Sequence, residues 1–260
     1  MQSPDYEAFL HRLADIAADL VLPHFRMSTD VANKDVSGFD PVTIADRSTE
    51  TAIRAAIETA FPDHGILGEE FGGQNLDADF VWVIDPIDGT RSFIAGLPVW
   101  GVLVGLLQGG KPTLGMMSQP FTGERFFGGA GSASYQGPGG PRRLKTRSCA
   151  TIDQAVLFTT SPLDFNEVDL AAYRRVERQA RLARYGTDCY AYCMLADGNV
   201  DAVVESGLQP YDILPLVPII EGAGGQVTDW QGNPPPDSGQ IIATGDARLH
   251  AHLLASLSAS

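Results

Sequence analysis

Tyr6, Phe9, Leu10, Leu13, Ile16, Ala17, Leu20 and Val21 recur at intervals of three and four, which predicts an amphipathic helix, with Ser3-Pro4 as its cap. The polar stretch 28–41, containing Lys34, reads as a loop. Ile53, Ala56, Ile57 and Ala60 mark a second helix that opens near Asp46 and ends at Pro62. The period then shortens. Residues 65–68 form a short strand ending in the paired acids Glu69 and Glu70, only one of which can turn toward a shared site. Residues 80–84 are a continuous run of β-branched and aromatic side chains, the pattern of a buried strand. Pro86 is expected to stop that strand because it cannot donate to a sheet ladder. Thr90 and Ser92 follow as candidate helix caps.

Residues 99–107, 113–117 and 125–127 are apolar segments separated by Gln-Gly-Gly-Lys-Pro and Thr-Gly-Glu, which predicts an antiparallel meander. The stretch 128–148, rich in Gly, Pro, Arg and Lys, marks the division between an N-terminal half (1–140) and a C-terminal half (141–260). Beyond it, strand-like segments at 155–160, 181–185, 200–205, 226–229 and 241–244 alternate with helical ones at 166–180, 188–197 and 211–222. A C-terminal helix closes the chain, and Gly224-Gly225 suits the end of the third helix of this half. Such alternation means helices packed on sheets, an α/β layered sandwich.

Composition narrows the function classes. A formal net charge of −14 argues against nucleic acid and anionic membrane surfaces as partners. Three cysteines do not suggest a disulfide framework; Cys189 and Cys193, spaced for one helix face, read as small buried hydrophobes. The N-terminus lacks a basic-then-apolar leader and no run approaches a membrane span, so a cytoplasmic protein is expected. Two motif matches fail on context. Residues 105–111 fit G-x-x-x-x-G-K, but Pro112 stands where a hydroxyl is needed, in a hairpin turn. Asp77-Ala-Asp79 precedes a strand where phosphoaspartate chemistry needs it to follow one. None of His11, His24, His64, His250 and His252 lies near a motif.

Asp85 and Asp88 lie at the carboxyl end of the 80–84 run, on a turn stiffened by Pro86, so both carboxylates can converge on one point. Oxygen ligands of this kind suit a hard divalent ion such as Mg²⁺. Gly89 lets the backbone approach closely, and amides at a following helix start suit a phosphate. Taken singly, Asp46 reads best as a helix cap or dipole partner and Glu69 as a solvated edge charge, Asp212 could be only a cap, and Asp85 and Asp88 read as well as acceptors of backbone hydrogen bonds in a capped loop.

In their order along the chain, Gly-Glu69-Glu70, Asp85-Pro-Ile-Asp88-Gly-Thr90 and Tyr211-Asp212 resemble the motifs of the inositol monophosphatase superfamily of Mg²⁺-dependent, lithium-sensitive phosphatases. The resemblance runs from the first helix to at least Asp229. Gly89-Thr-Arg-Ser-Phe93 and Tyr211-Asp-Ile-Leu-Pro-Leu-Val-Pro-Ile-Ile-Glu221 look most like its histidinol-phosphate phosphatase branch. Inositol phosphatases more often show Gly-Thr-Thr-Asn-Phe and Trp-Asp there, and the nucleotide-bisphosphate branch has glutamate where this chain has Ser92.

The resemblance implies a layered sandwich of the inositol monophosphatase and fructose-1,6-bisphosphatase type, two sheets with helices between and outside. It implies one Mg²⁺ held by Glu69, Asp85 and the Ile87 carbonyl, and a second held by Asp85, Asp88 and Asp212. A third ion has room. The amides of Gly89 and Thr90 would take phosphate oxygens, and Asp46, matching V-T-x-x-D, would orient the Thr90 hydroxyl toward the attacking water. Glu69, Asp46 and Thr90 are the catalytic group on this resemblance, and Asp212 also faces substrate. Gly186-Thr187-Asp188 and Glu205 match the leaving-group pocket, where two acids suit a cationic amino alcohol better than a neutral polyol; Asp188 reads also as a cap of its own helix. L-histidinol phosphate is the expected substrate and a homodimer the expected assembly. Inositol or sugar phosphates are the alternative, and a catalytically silent relative is a remote one that the intact carboxylate set disfavours.

Overall fold

In the computed structural model the described residues are 5–27, 31–33, 41–235 and 239–258, with backbone alone for 31–33 and 41–43. Helix α1 (Tyr6–Val21) is capped by Asp5, whose carboxylate accepts from the Ala8 amide at 3.0 Å. Ser3-Pro4 and Lys34 lie outside the described residues. Within the stretch expected to be a loop, β1 (Val31–Asn33) pairs antiparallel with β2 (Pro41–Thr43). Then come α2 (Ile44–Ala60), β3 (Gly65–Gly68), β4 (Gly72–Gln74), β5 (Phe80–Asp88) and α3 (Thr90–Ile94). The meander is β6 (Gly101–Gln108), β7 (Lys111–Gln119), β8 (Glu124–Gly129), β9 (Ser132–Gln136) and β10 (Arg142–Arg143).

The chain continues through β11 (Val156–Thr159), α4 (Glu167–Glu177), β12 (Leu182–Tyr185), α5 (Asp188–Ala196) and β13 (Ala202–Leu208). It ends with α6 (Pro210–Ile213), α7 (Val217–Gly222), β14 (Gln226–Thr228), β15 (Gly239–Thr244) and α8 (Ala247–Ser258). One sheet has eight strands in the order β10-β9-β8-β7-β6-β5-β3-β4, the other five in the order β12-β11-β13-β15-β14. The larger is antiparallel except for β3 beside β5. In the smaller, β11 runs parallel to both of its neighbours.

Strand alternation sorts the side chains into layers. Trp82, Ile84, Val104 and Met116 face α1 and α2 on the outside of the large sheet. Val83, Leu103, Met117 and Phe126 face the other way, where α5 to α7 fill the space up to Val203, Ile241 and Ala243 of the small sheet. Leu157, Val204 and Ile242 meet α4 and α8 on the far side. This is the expected sandwich, helices between and outside two sheets, and its period-2 segregation is the reason the β-branched runs read as buried on both faces.

Three local expectations need correction. The strand through Asp85 does not stop at Pro86. It bulges between Asp85, opposite Leu103, and Asp88, opposite Gly101, and then rejoins the ladder. Proline is tolerated there because a bulge residue owes no hydrogen bond. Neither Thr90 nor Ser92 caps α3: Gly89 does, with a φ of +84°. The helix expected over 211–222 is broken into α6 and α7, separated around Pro215.

The break has a cause in the sheet beneath it. Gly105, Gly115 and Gly128 lie side by side in register on β6, β7 and β8. A Cβ at Gly115 would run into the Pro215 carbonyl, and one at Gly128 into the backbone of Pro218 and Ile219. The glycine row is thus a flat seat on which the α6–α7 segment rests by its backbone, and that seat sets the position of Asp212 at the start of α6. Gly115→Val should displace the segment and cost about 1–3 kcal/mol by overpacking. Denaturant unfolding would read this, with metal-ion affinity lowered in the same variant.

His250 on α8 is buried, its ring nitrogens lying 2.8 Å from the Thr228 hydroxyl and 3.0 Å from that of Thr244. Burial pushes its pKa down to about 4. The unfolded chain therefore takes up the proton first, so this site's stability is complete above about pH 6.5 and is lost as pH falls toward 4. Wild type should lose its stability advantage over His250→Gln across that window, by roughly 2–3 kcal/mol in the unfolding free energy compared at each pH.

Candidate active site

The carboxyl ends of β3 and β5 lie side by side because the two strands are parallel, with the Glu69 amide donating to the Ile84 carbonyl at 3.2 Å. Buried Glu50 on α2 shapes the turn that follows, accepting from the amides of Glu70 (2.7 Å) and Phe71 (3.3 Å) and pairing with Arg54 at 2.7 Å. The two adjacent glutamates divide as their spacing requires. Glu69 lines the cleft, and Glu70 pairs with Arg47 at 3.4 Å.

Asp85, Asp88 and Asp212 each offer an oxygen within 4.8 Å of the others'. Each is held by one backbone amide. Asp85 accepts from Ile87 at 3.1 Å, Asp88 from Cys189 at 2.6 Å, and Asp212 from Gln209 at 2.7 Å. Asp212 is therefore both a cap of α6 and a member of the cluster. Asp88 plays a similar double part, since the amide it takes opens α5 in the other half of the chain. Burial, followed by the charge of Glu69 and the other acids, Asp46 included, drives the Asp85 pKa up. Asp88 rises for the same reasons, led by burial and then Asp188, and Asp212 is pushed up to about 7 by burial above all. A desolvated group of acceptor-only oxygens, each disfavouring its neighbours' charge, fits a hard divalent cation and is satisfied by little else.

The turn after Asp88 is crowded. A Cβ at Gly89 would meet the Asp188 carboxylate at 2.7 Å, so glycine is required there for room as well as for its positive φ. The Thr90 hydroxyl donates to the Ile87 carbonyl at 3.1 Å. Asp46, in the first turn of α2, is buried and near enough for its charge to act on Asp85.

Asp188 does not cap its own helix. Thr187 holds the cap position without a side-chain bond, and Asp188 accepts from the Ser92 hydroxyl of α3 at 2.6 Å. Its φ of +42° is a left-handed conformation that a non-glycine residue adopts at a cost of about 1–3 kcal/mol. Such strain is a reason to look for a ligand. Glu205 on β13 is 3% exposed and accepts from the Thr159 hydroxyl (2.8 Å) and from the amide and hydroxyl of Thr160 (2.6 and 2.9 Å). Burial nevertheless pushes it up to about 7.

Glu69, Asp85, Asp88, Gly89, Thr90, Asp188, Glu205 and Asp212 line one open cleft of about 340 Å³, of a size for a small phosphate ester, and Asp46 is not part of its lining. The cleft also has residues that the motifs do not reveal: Arg91, Asp164, Thr160, Cys189 and Tyr192. Arg91 and Asp164 pair at 3.2 Å across the two halves. Only the place of Arg91 within Gly89-Thr-Arg-Ser-Phe93, where it carries no role, and the helical spacing of Tyr192 from Asp188 could have pointed to them. No histidine lines the cleft, and burial raises the Cys189 thiol pKa, which leaves it unsuited to nucleophilic attack.

The sequence profile of the inositol monophosphatase family matches residues 4–260. The bifunctional phosphatase IMPL2, chloroplastic, of Arabidopsis thaliana is 44% identical, over 97% of this chain and 75% of that protein. The histidinol-phosphatase of Mycobacterium tuberculosis is 33% identical over 95% of both chains. An inositol monophosphatase from Zymomonas mobilis superposes with a TM-score of 0.87 at 40% identity, covering 99% of this chain and all of the other. No helix among the described residues is long and apolar enough to cross a membrane. With the clustered carboxylates, the two-sheet sandwich and a profile match over almost its full length, this chain belongs to the inositol monophosphatase family of Mg²⁺-dependent phosphatases acting on small phosphorylated substrates.

Proposed function

We propose that the protein hydrolyses L-histidinol phosphate to L-histidinol and phosphate, a step of histidine biosynthesis. One observation carries the substrate choice: Asp188 and Glu205 line the same cleft as the Asp85–Asp88–Asp212 cluster, and Asp188 lies against the Gly89 turn. An anionic wall beside a phosphate site suits a leaving group that is a cation, and an ammonium pairs with a carboxylate through a charge-assisted hydrogen bond. The histidinol-phosphatase relatives support the same choice. The 40% identity to the Zymomonas mobilis inositol monophosphatase supports inositol phosphates as the second reading.

Glu69, Asp85, Asp88, Asp212 and the Ile87 carbonyl would hold two Mg²⁺ ions, with room for a third, and the ions supply Lewis acidity to the attacking water and the departing oxygen. The chain's own part is positioning. Gly89 and Thr90 offer backbone amides to the phosphate. Asp46 orients the Thr90 hydroxyl toward the attacking water, which Glu69 holds from the other side. Asp188 and Glu205 grip the leaving group, so attack and departure are aligned before reaction. Because the phosphate groups come from residues 1–140 and Asp188, Glu205 and Asp212 from 141–260, the two halves act as one functional unit. A homodimer in the cytoplasm completes the proposal, and light scattering on the purified protein tests the dimer.

Asp188→Asn keeps the shape and removes the charge. Its kcat/KM for histidinol phosphate should fall by one to two decades, corresponding to about 1.5–3 kcal/mol, mostly through KM. Inositol 1-phosphate should change little. Equal losses on both substrates would make Asp188 a structural partner of Ser92 alone.

A further inference from the structure

Tyr192 sits one turn beyond Asp188 on α5, a spacing that puts both side chains on the same helix face. It lines the cleft, yet the residue is only 3% exposed. Its hydroxyl has no hydrogen-bond partner among the described residues. The acids whose charges act on it come from three separate elements: Glu205 on β13 first, then Asp88 at the end of β5 and Asp212 on α6. Glu205 belongs to the leaving-group side and the two aspartates to the phosphate side.

A buried O–H without a partner is uncommon and costly in a folded protein, and it calls for an explanation. Packing alone does not supply one, since phenylalanine would fill the same space without the unspent polar atom. Asp188 and Glu205 are carboxylates, which can only accept from the ligand once ionised. The Tyr192 hydroxyl is a neutral donor among them, and burial keeps its proton in place. The ligand atom it serves must therefore be an acceptor, and its position one turn from Asp188, on the leaving-group side of the cleft, puts that atom on the leaving group.

We propose that Tyr192 is a specificity-determining residue whose hydroxyl donates to a hydrogen-bond-accepting atom of the leaving group, such as a ring nitrogen or an alcohol oxygen. This rests on the phosphatase reading and deepens its substrate class. Asp188 and Glu205 select for positive charge, and Tyr192 selects for an acceptor beside that charge. A leaving group lacking such an atom leaves the hydroxyl unpaired when water is excluded, which is a strong form of rejection.

Tyr192→Phe tests the proposal, because it removes one oxygen and keeps the ring. The kcat/KM for histidinol phosphate should fall about ten- to a hundredfold. Phenyl phosphate, which presents no such acceptor, should be hydrolysed as well as by wild type or better, since the rejecting hydroxyl is gone. L-Histidinol itself should bind about tenfold more weakly by calorimetry, a readout independent of turnover. The melting temperature should stay level or rise, since no hydrogen bond of the free protein is lost. Equal losses on both phosphates, or unchanged histidinol affinity, would overturn the assignment. So would a fall in melting temperature, because that would show the hydroxyl to be spent on the protein. Failure of the substrate reading shows separately: wild-type enzyme would then favour inositol 1-phosphate, whose hydroxyls also accept, and an undiminished kcat/KM of Tyr192→Phe on that ester would overturn the assignment too.

Discussion

Asp85→Asn should lower kcat by about a thousandfold, an effect of roughly 4 kcal/mol on the barrier, the scale of a lost metal-ion contribution. Asp46→Asn should cost only about ten- to a hundredfold if, as proposed, Asp46 orients the Thr90 hydroxyl and does not hold the ions. The contrast follows from position. Asp85 is at the centre of the cluster, 2% exposed, and its charge is opposed by Glu69, Asp88, Asp212 and Asp46 together. The same crowding predicts the opposite sign for stability. A carboxylate whose folded pKa is raised favours the fold when protonated and opposes it once ionised. The metal-free protein should thus lose stability as pH climbs from about 4 through the Asp212 value of about 7. Asp85→Asn removes one of the repelling charges, so metal-free variant should melt higher than metal-free wild type above neutral pH. A variant that is inactive yet more stable is the signature of a metal site, and equal mild losses from Asp85→Asn and Asp46→Asn would contradict the bridging role.

Excess chelator should abolish turnover altogether, and Mg²⁺ should restore it, since carboxylate and carbonyl oxygens bind this ion only modestly. Ion binding to the native state alone stabilises it by about 2.7 kcal/mol at a hundred times the dissociation constant. For a chain of this size that corresponds to a rise of roughly 5–10 °C in melting temperature. Asp85→Asn should lose most of that rise. Protons compete for the same oxygens, so apparent Mg²⁺ affinity should increase from pH 6 to 8 as Asp212 ionises. Full turnover in excess chelator, or a melting temperature indifferent to Mg²⁺, would remove the ion from the account.

Much of the architecture can be read from periodicity. The i, i+3, i+4 spacing of Leu10, Leu13 and Ala17 and the unbroken 80–84 run report burial directly, and burial is what those elements are for. The acids of the cluster are legible only jointly, since Asp212 is also the cap that its local context suggests. What periodicity cannot show is backbone contact between distant segments. Pro86 reads as a stop until the bulge opposite Leu103 and Gly101 is seen to excuse it. The break between α6 and α7 depends on Gly105, Gly115 and Gly128 lining up across three strands, a register that no local signal contains. Tyr192 is hidden for a different reason. A tyrosine on an apolar helix reads as core, and only a buried, unpartnered hydroxyl on a side chain that lines the cleft distinguishes it. Glu50 reads as an ordinary helix acid until the amides of Glu70 and Phe71 are found on it.

The central claim is a metal-dependent phosphatase whose cleft selects a cationic leaving group. Its most direct test is phosphate release in saturating Mg²⁺ from L-histidinol phosphate, inositol 1-phosphate and adenosine 3′,5′-bisphosphate, measured in parallel as kcat/KM. The expected result is a preference for histidinol phosphate of at least about tenfold over either other ester, set by the charge-assisted contacts of Asp188 and Glu205. Equal rates on all three, or a higher value for inositol 1-phosphate, would contradict it.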